Sequence, residues 1–348
     1  MALSGDHAAR KRDHLTLALD GEVGFAHVTT GFERLRLRAR ALPERDLDEV
    51  DLSGTLWGRH VAVPLLLSCM TGGTSEAGPV NRALAAAAQA HGLPVGLGSG
   101  RVLLADPTRS DGFWVRDVAP DVLLLANLGA VQLAEYGVAG CAELVRRCAA
   151  DVLVLHLNAV QEAIQPGGDT QFSGVAARIG AVVEALDVPV VVKEVGFGLG
   201  PADLTLLCEA GVAGIDVAGA GGTNWARLEG LRDARAAAVA AAFSDWGWPT
   251  VTSLTVAAAQ LDNARAATGR APELIASGGI TDGVTAAKAL CLGARLAGIA
   301  RGVLAAAVDG PDAATEAVGV LVEQLRIAAW AVGAGHLADL DASRIEPA

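Results

Sequence analysis

From residue 63 onward, short apolar runs alternate with breaks rich in Gly, Ser, Thr or Asn and then with alanine-rich stretches of helical period, about eight times over. The apolar runs are 63–69, 93–99, 121–127, 152–158, 189–195, 213–219, 273–279 and 295–301. They are hydrophobic almost throughout, as strands covered on both faces must be. Amphipathic segments at 79–92, 139–150, 175–186, 201–211, 251–269 and 283–292 lie between them. Buried strands alternating with helices predict parallel β/α units, and eight units predict a closed α/β structure, the (β/α)8 TIM barrel. An open doubly wound sheet is the alternative, but no G-x-G-x-x-G turn with a downstream acid stands where that fold needs one. Residues 1–62 are charge-rich and irregular, which predicts an N-terminal arm and cover ahead of a barrel spanning 63–340. The link between the sixth and seventh strands is too long for a plain connection, and its 220–250 part reads as a glycine-hinged, lid-like insert.

Chemistry in such barrels gathers at the C-terminal ends of the strands. The fourth run, VLVLHLN, ends in His156, Asn158, Gln161 and Glu162, a polar cluster that packing alone does not call for, since each buried polar group must find a partner. The other ends carry Ser68 to Gly73, Gly98 to Arg101, Asn127, Lys193-Glu194, Gly219 to Trp225, Ser277 to Gly279 and Ala300-Arg301. Turn glycines, helix caps or a Lys193–Glu194 pair explain each of these singly; together at one rim they predict a binding mouth. Ser277 to Ile280, read as the opening of a helix with unpaired first-turn amides, and Ala300 to Gly302 next to it predict a phosphate site. Lys193 then stands beside the ring of a phosphorylated planar cofactor, where it stabilises an anionic form.

Composition narrows the partners. The 348 residues are 52% hydrophobic, ample for a large core, and the formal net charge of -12 leaves no general basic surface for a nucleic-acid backbone, so anion binding must be local. Five cysteines without a CxxC pair predict free thiols in a reducing compartment, with neither a disulfide framework nor a zinc site. With neither a signal-peptide core nor a membrane-length apolar run, a soluble cytoplasmic protein is expected.

The order of motifs resembles that of the type 2, FMN-dependent isopentenyl-diphosphate isomerases. The matching stretches include Arg10-Lys11 followed by His14, MTGG at 70–73, Ser99 with Arg101, Asn127, HLNAVQE at 156–162 with PGGD ending at Asp169, KEVGFG at 193–198, IDVAGAGGTNW at 215–225, WGWPT at 246–250 and SGGITDG at 277–283. The resemblance covers essentially the whole chain. It implies conversion of isopentenyl to dimethylallyl diphosphate by an allylic proton shift, with FMN in its reduced form, Mg2+, and NADPH as reductant. It places the flavin phosphate at Gly278, Gly279 and Ile280 with Ala300 and Arg301. Around the rest of the flavin it places Met70, Thr71, Gly72, Ser99, Asn127, Lys193 and Thr223. Arg10, Lys11, Ser99, Arg101, His156 and Asn158 would hold the substrate diphosphate, and Glu162 the metal. Gln161 lies beside the reacting double bond, so Gln161 and Lys193 are the candidate catalytic residues. The reduced flavin is expected to carry the proton, because an amide is a poor acid. A homotetramer or homo-octamer is also implied. One departure stands out: the family usually has Gly-Ser-Gln-Arg where this chain has Gly98-Ser99-Gly100-Arg101.

The nearest enzymatic rival on such a barrel is an FMN-dependent 2-hydroxy-acid oxidase or dehydrogenase. It would need a His-x-x-Arg near the seventh strand, and residues 249–272 contain no histidine. A non-catalytic flavin-binding protein and a phosphosugar barrel without flavin are the remaining alternatives.

Overall fold

Eight parallel strands close into one barrel in the computed structural model, which describes residues 14, 16–19, 22–70, 72, 77–106 and 112–348. We number them β1 (Leu65–Leu67), β2 (Val95–Ser99), β3 (Leu124–Gly129), β4 (Val152–Leu157), β5 (Val190–Glu194), β6 (Gly214–Asp216), β7 (Glu273–Ala276) and β8 (Leu296–Ile299). Neighbours in sequence are neighbours in space, and β8 pairs with β1 to close the ring. Seven strands fall within their apolar runs, and β3 starts in the run 121–127 and continues to Gly129. The runs ending at Cys69, Gly219, Gly279 and Arg301 outlast their strands because their polar ends have already left the ladder.

Two apolar layers hold the barrel. Outward residues such as Leu65, Leu67, Leu124, Leu153, Leu155 and Val192 join the helices in the larger cluster. Inward residues Leu66, Leu125, Val154, Val191, Ile275 and Leu296 fill the lumen. Its floor is the hairpin of strands Gly54–Leu56 and Arg59–Val61, which inserts Leu56 and Val61 into that inner cluster. The charge-rich N-terminal stretch thus seals the lower end, with Trp57 Nε1 donating to the Ala213 carbonyl at 3.3 Å.

The same stretch also reaches the upper rim. Asn224 N donates to Val23 O at 2.7 Å, and Val251 N to Thr30 O at 2.9 Å. Residues Leu35–Leu37 then form an antiparallel pair with Ile345–Pro347. The insert between β6 and β7 folds into helices Trp225–Gly230 and Ala234–Ala240 before helix Thr250–Thr268. Asn224 and Asp233 cap the two shorter helices through their side-chain oxygens.

Candidate functional site

Strand periodicity builds the site. Side chains two residues apart share a face, so continuing upward from the inner apolar layer puts Ser68, Asn127, His156, Lys193, Asp216 and Ser277 in the next layer of the lumen. Parallel register agrees: His156 is paired with Lys193, and Lys193 with Asp216. His156 Nδ1 lies 2.7 Å from Asn127 Oδ1. Lys193 Nζ donates to the Glu194 carbonyl at 2.5 Å, and Asp216 Oδ1 accepts from Ser277 Oγ at 2.7 Å. Burial raises the Asp216 carboxyl above its usual range, with the Lys193 charge pulling the other way. Glu194 faces outward and accepts from the amides of Val195, Gly196 and Phe197 at 2.7, 2.6 and 2.5 Å. Burial pushes its carboxyl up to about 7, against the pull of those amides.

The wall above β4 is a network of side chains. Asn158 stands at the start of helix Ala159–Ile164, and its Nδ2 donates to Gln161 Oε1 at 3.2 Å and Glu162 Oε1 at 2.9 Å. Gln161 Nε2 donates to Glu229 Oε1 at 3.0 Å, so both ends of the Gln161 amide are engaged and its orientation is set. Glu229, fully buried on helix Trp225–Gly230, lies 3.0 Å from His14 Nε2 and 3.0 Å from Arg232 Nη1. Burial alone would raise the Glu229 carboxyl, but His14, Gln161 and Arg232 together hold it below the usual range. The arm and the insert therefore converge on the residue expected beside the reacting bond.

The opposite wall is backbone. Gly219 to Gly222, Gly278 and Gly279 pack against one another and against Thr30. Gly221 and Gly278 have φ of 114° and 101°, and an added methyl would strike Thr30 and the Gly219 carbonyl respectively. Thr250 Oγ1 ties this wall to the following helix through the Gly278 carbonyl at 2.7 Å. Here the structure corrects one expectation. Ser277 to Ile280 does not open a helix: the helix is Gly283–Cys291, and its first turn is already occupied, Thr285 N by Asp282 and Gly283 N by Gln324. Of the helices that follow β7 and β8, the one without a side-chain cap is Arg301–Asp309, whose N-cap is Ala300. An anion at this edge of the rim would meet the first-turn amides of that helix and the loop 278–280.

The remaining expected residues distribute as follows. Arg10, Lys11 and Thr71 lie outside the described residues. Met70, Ser99 and Thr223 are half-buried at the rim, and Gly72 is buried with Phe113 where a side chain would stand. Arg101 does not stand open to a diphosphate: its Nη1 donates to Asp169 at 2.6 Å and its Nη2 lies 3.6 Å from Glu135. Arg301 Nε donates to the Ala18 carbonyl at 2.8 Å. At Gly100 a side chain would collide with Leu144, which fills the space.

The donor set fits a planar phosphorylated cofactor such as FMN. A cation projects into the mouth, uncapped amides lie at one edge, and the buried Ser68 Oγ has no partner among the described residues. For a metal, Glu162 Oε1 accepts, among the described residues, only from Asn158, while Oε2 accepts from Gln165 and Asp169 N, which leaves Oε1 a further direction toward an ion. Among the described residues no cluster of three or more His, Cys, Asp or Glu is placed to hold a metal, so any ion here would depend on water and substrate oxygens.

Sequence reasoning gave no role to Glu229, His14 or Asp216. Strand alternation carried the signal for Asp216, two residues above the inward Gly214. Nothing in the alanine-rich insert marked Glu229.

A family model described as FMN-dependent dehydrogenase matches residues 7–104 and 157–347. The isopentenyl-diphosphate delta-isomerase of Xanthobacter autotrophicus is 48% identical over 341 residues, covering 97% of this chain and 96% of that one. That of Stutzerimonas stutzeri is 47% identical over 342 residues, with 97% and 96% covered. Among solved structures, a flavocytochrome b2 variant with sulfite bound is similar with a TM-score of 0.70 at 18% identity, covering 96% of this chain and 82% of that one. A mandelate oxidase variant with an FMN monooxide adduct has a TM-score of 0.65 at 18% identity, covering 98% and 99%. At such identity the solved structures speak for the fold alone.

Proposed function

Because the chain belongs to the FMN-dependent dehydrogenase family and to the isopentenyl-diphosphate delta-isomerases, we propose that it converts isopentenyl diphosphate to dimethylallyl diphosphate. The observation that carries this reading is near-full-length identity of 48% to a relative of that name. The geometry is in keeping with it. Gln161, held from both sides by Asn158 and Glu229, presents a fixed amide edge to a bound alkene and limits the poses from which a proton can move. His156 and Asn158 face the same space for the diphosphate, with Arg10 and Lys11 from the arm and with Ser99 and Arg101. Arg101 would exchange Asp169 for substrate oxygens. Glu162 offers Mg2+ one oxygen, the diphosphate and water completing its shell. Lys193 places a positive charge at the lumen end of the mouth, where it favours an anionic ring above it. Reduced FMN, when bound, would supply the group that gives and takes the proton. The loop 278–280 and the helix start at Ala300-Arg301 would hold its phosphate; Met70, Thr71, Gly72, Ser99, Asn127 and Thr223 would border the rest.

NADPH is the reductant we infer. A cytoplasmic setting accords with five free cysteines, and no helix among the described residues is long and apolar enough to cross a membrane. Self-association accords with Val320 and Ile327, exposed on helix Pro311–Ala331, and the family resemblance makes a homotetramer or homo-octamer the assembly we infer.

The test is anaerobic incubation of FMN-loaded, dithionite-reduced protein with isopentenyl diphosphate and Mg2+ in D2O. Deuterated dimethylallyl diphosphate is expected, with no turnover by the oxidised form. Equal turnover with oxidised flavin, or flavin reduction by lactate in place of isomerisation, would overturn the reading.

A further inference from the structure

Strands β4 and β5 carry a second cavity on their outer face. His156 and Lys193 point into the lumen, so the next register pair, Leu157 and Glu194, points the other way. There, among the upper ends of the two strands, helices Val175–Ala185 and Pro201–Glu209 and the loop 245–248, lies a space of about 810 Å³, the size of a small-molecule site. Its roof is pinned from two sides. Trp248 N donates to Phe197 O at 2.7 Å, and Gly247 lies against the Phe197 backbone. Asp245 accepts from the His27 and Val28 amides at 2.7 and 2.9 Å, which ties the loop to the arm. Leu206, Trp246 and Trp248, all part of the lining, are exposed at its edge.

The lining sets the chemistry of a ligand. It is apolar and aromatic apart from the acids Glu194, Asp203 and Asp245, and among the described residues no Lys, Arg or His side chain joins it. A diphosphate or other anion would find no counter-charge there. Asp203 Oδ2 accepts from Gly200 N, and Asp245 is engaged by His27. Glu194 is the buried acid, 8% exposed. Its Oε2 takes up the amides of Val195, Gly196 and Phe197, while Oε1 accepts no hydrogen bond among the described residues and is left to the cavity. Burial disfavours the charge on this carboxyl, so a cation set against Oε1 would relieve that cost. We propose that the cavity is a second ligand site, separate from the barrel mouth, for a small lipophilic cation. Its apolar body would lie among Phe172, Phe197, Trp246 and Trp248, with its ammonium on Glu194 Oε1. The inference depends on neither flavin nor isomerisation.

The test is calorimetric titration of FMN-loaded protein with three probes of one shape: phenylbutylamine, phenylbutanol and phenylbutyrate. Alkaline buffer keeps Glu194 ionised and the amine protonated. The amine should bind about tenfold more tightly than the alcohol, and the acid should not bind. Excess isopentenyl diphosphate should leave amine binding unchanged. Glu194→Gln should bring the amine down to the affinity of the alcohol. Ala176→Trp, which fills the cavity from its helical wall, should abolish binding of both while FMN is retained; it carries the test if Glu194→Gln does not fold. Equal affinity for all three probes, displacement of the amine by isopentenyl diphosphate, or undiminished binding in Ala176→Trp would overturn the inference. So would amine binding that appears only when dilution separates copies of the chain, since a second copy would then be the occupant.

Discussion

The two walls of the barrel mouth are held in opposite ways. Above β4 the shape comes from side chains: Asn158, Gln161, Glu162, Glu229 and His14 fix one another through polar contacts. Above β6 and β7 it comes from main chain, with glycines packed so closely that a single methyl has no place. The difference teaches what each wall is for. A side-chain network can present one chosen atom to a substrate and can be re-aimed by one substitution. A wall of backbone presents amides and a flat surface, and it yields to substitution only by deforming.

The sharpest contrast should come from paired substitutions. Gly278→Ala, at a φ of 101° against the Gly219 carbonyl, should lower stability by about 4 kcal/mol or more and leave protein unable to retain FMN, read by thermal unfolding and flavin absorbance. Gln161→Leu on the other wall should leave the flavin spectrum and melting temperature nearly unchanged while turnover falls about 100-fold or more. If both lose flavin, or neither does, the division between the walls is wrong.

Glu229→Ala should fall between them. It strips a fully buried acid from His14 and Arg232, for an expected loss of about 3 to 5 kcal/mol, measured by chemical denaturation. Glu229→Gln should recover most of the stability but not the turnover.

Behind Lys193, Glu194 offers a pH probe. Its carboxyl sits near 7 in the folded chain against 4.5 as a free side chain, so the native state binds the proton more tightly. Its contribution to stability is present in full below pH 4.5 and is lost as pH rises through 7, by roughly 3 kcal/mol in all. Glu194→Gln should remove this segment of the stability–pH curve.

The smallest effect is expected at the family departure. Gly100→Gln must displace Leu144, for a cost of about 1 to 3 kcal/mol, with the KM for isopentenyl diphosphate altered by a few-fold. That Leu144 already fills the space makes the glycine an adjustment of packing.

The barrel was legible because eight buried strands leave eight near-continuous apolar runs, and no helix or loop imitates that repetition. The cluster from His156 to Glu162 was legible because polar side chains at the end of a buried strand have no packing excuse. Two features were hidden for different reasons. Glu229 reaches Gln161 across 68 positions of chain, from a helix whose composition signals only helical propensity. The uncapped helix start proved to lie after β8, because Asp282 and Gln324 satisfy the one after β7, and the Gln324 contact is tertiary. Capping by a distant side chain leaves no local trace.

The pairing of Leu35–Leu37 with Ile345–Pro347 bears on the order in which the molecule assembles. Arg36 meets Glu346 across 310 positions of chain, and closing so long a loop comes late in folding. The segment before it, from Val23 to Thr30, drapes over the rim at Asn224, Gly221 and Val251. The barrel strands can close before the pairing of Leu35–Leu37 with Ile345–Pro347 forms. The mouth would thus stay open longest, leaving an interval in which a bulky nucleotide can enter before the entrance narrows.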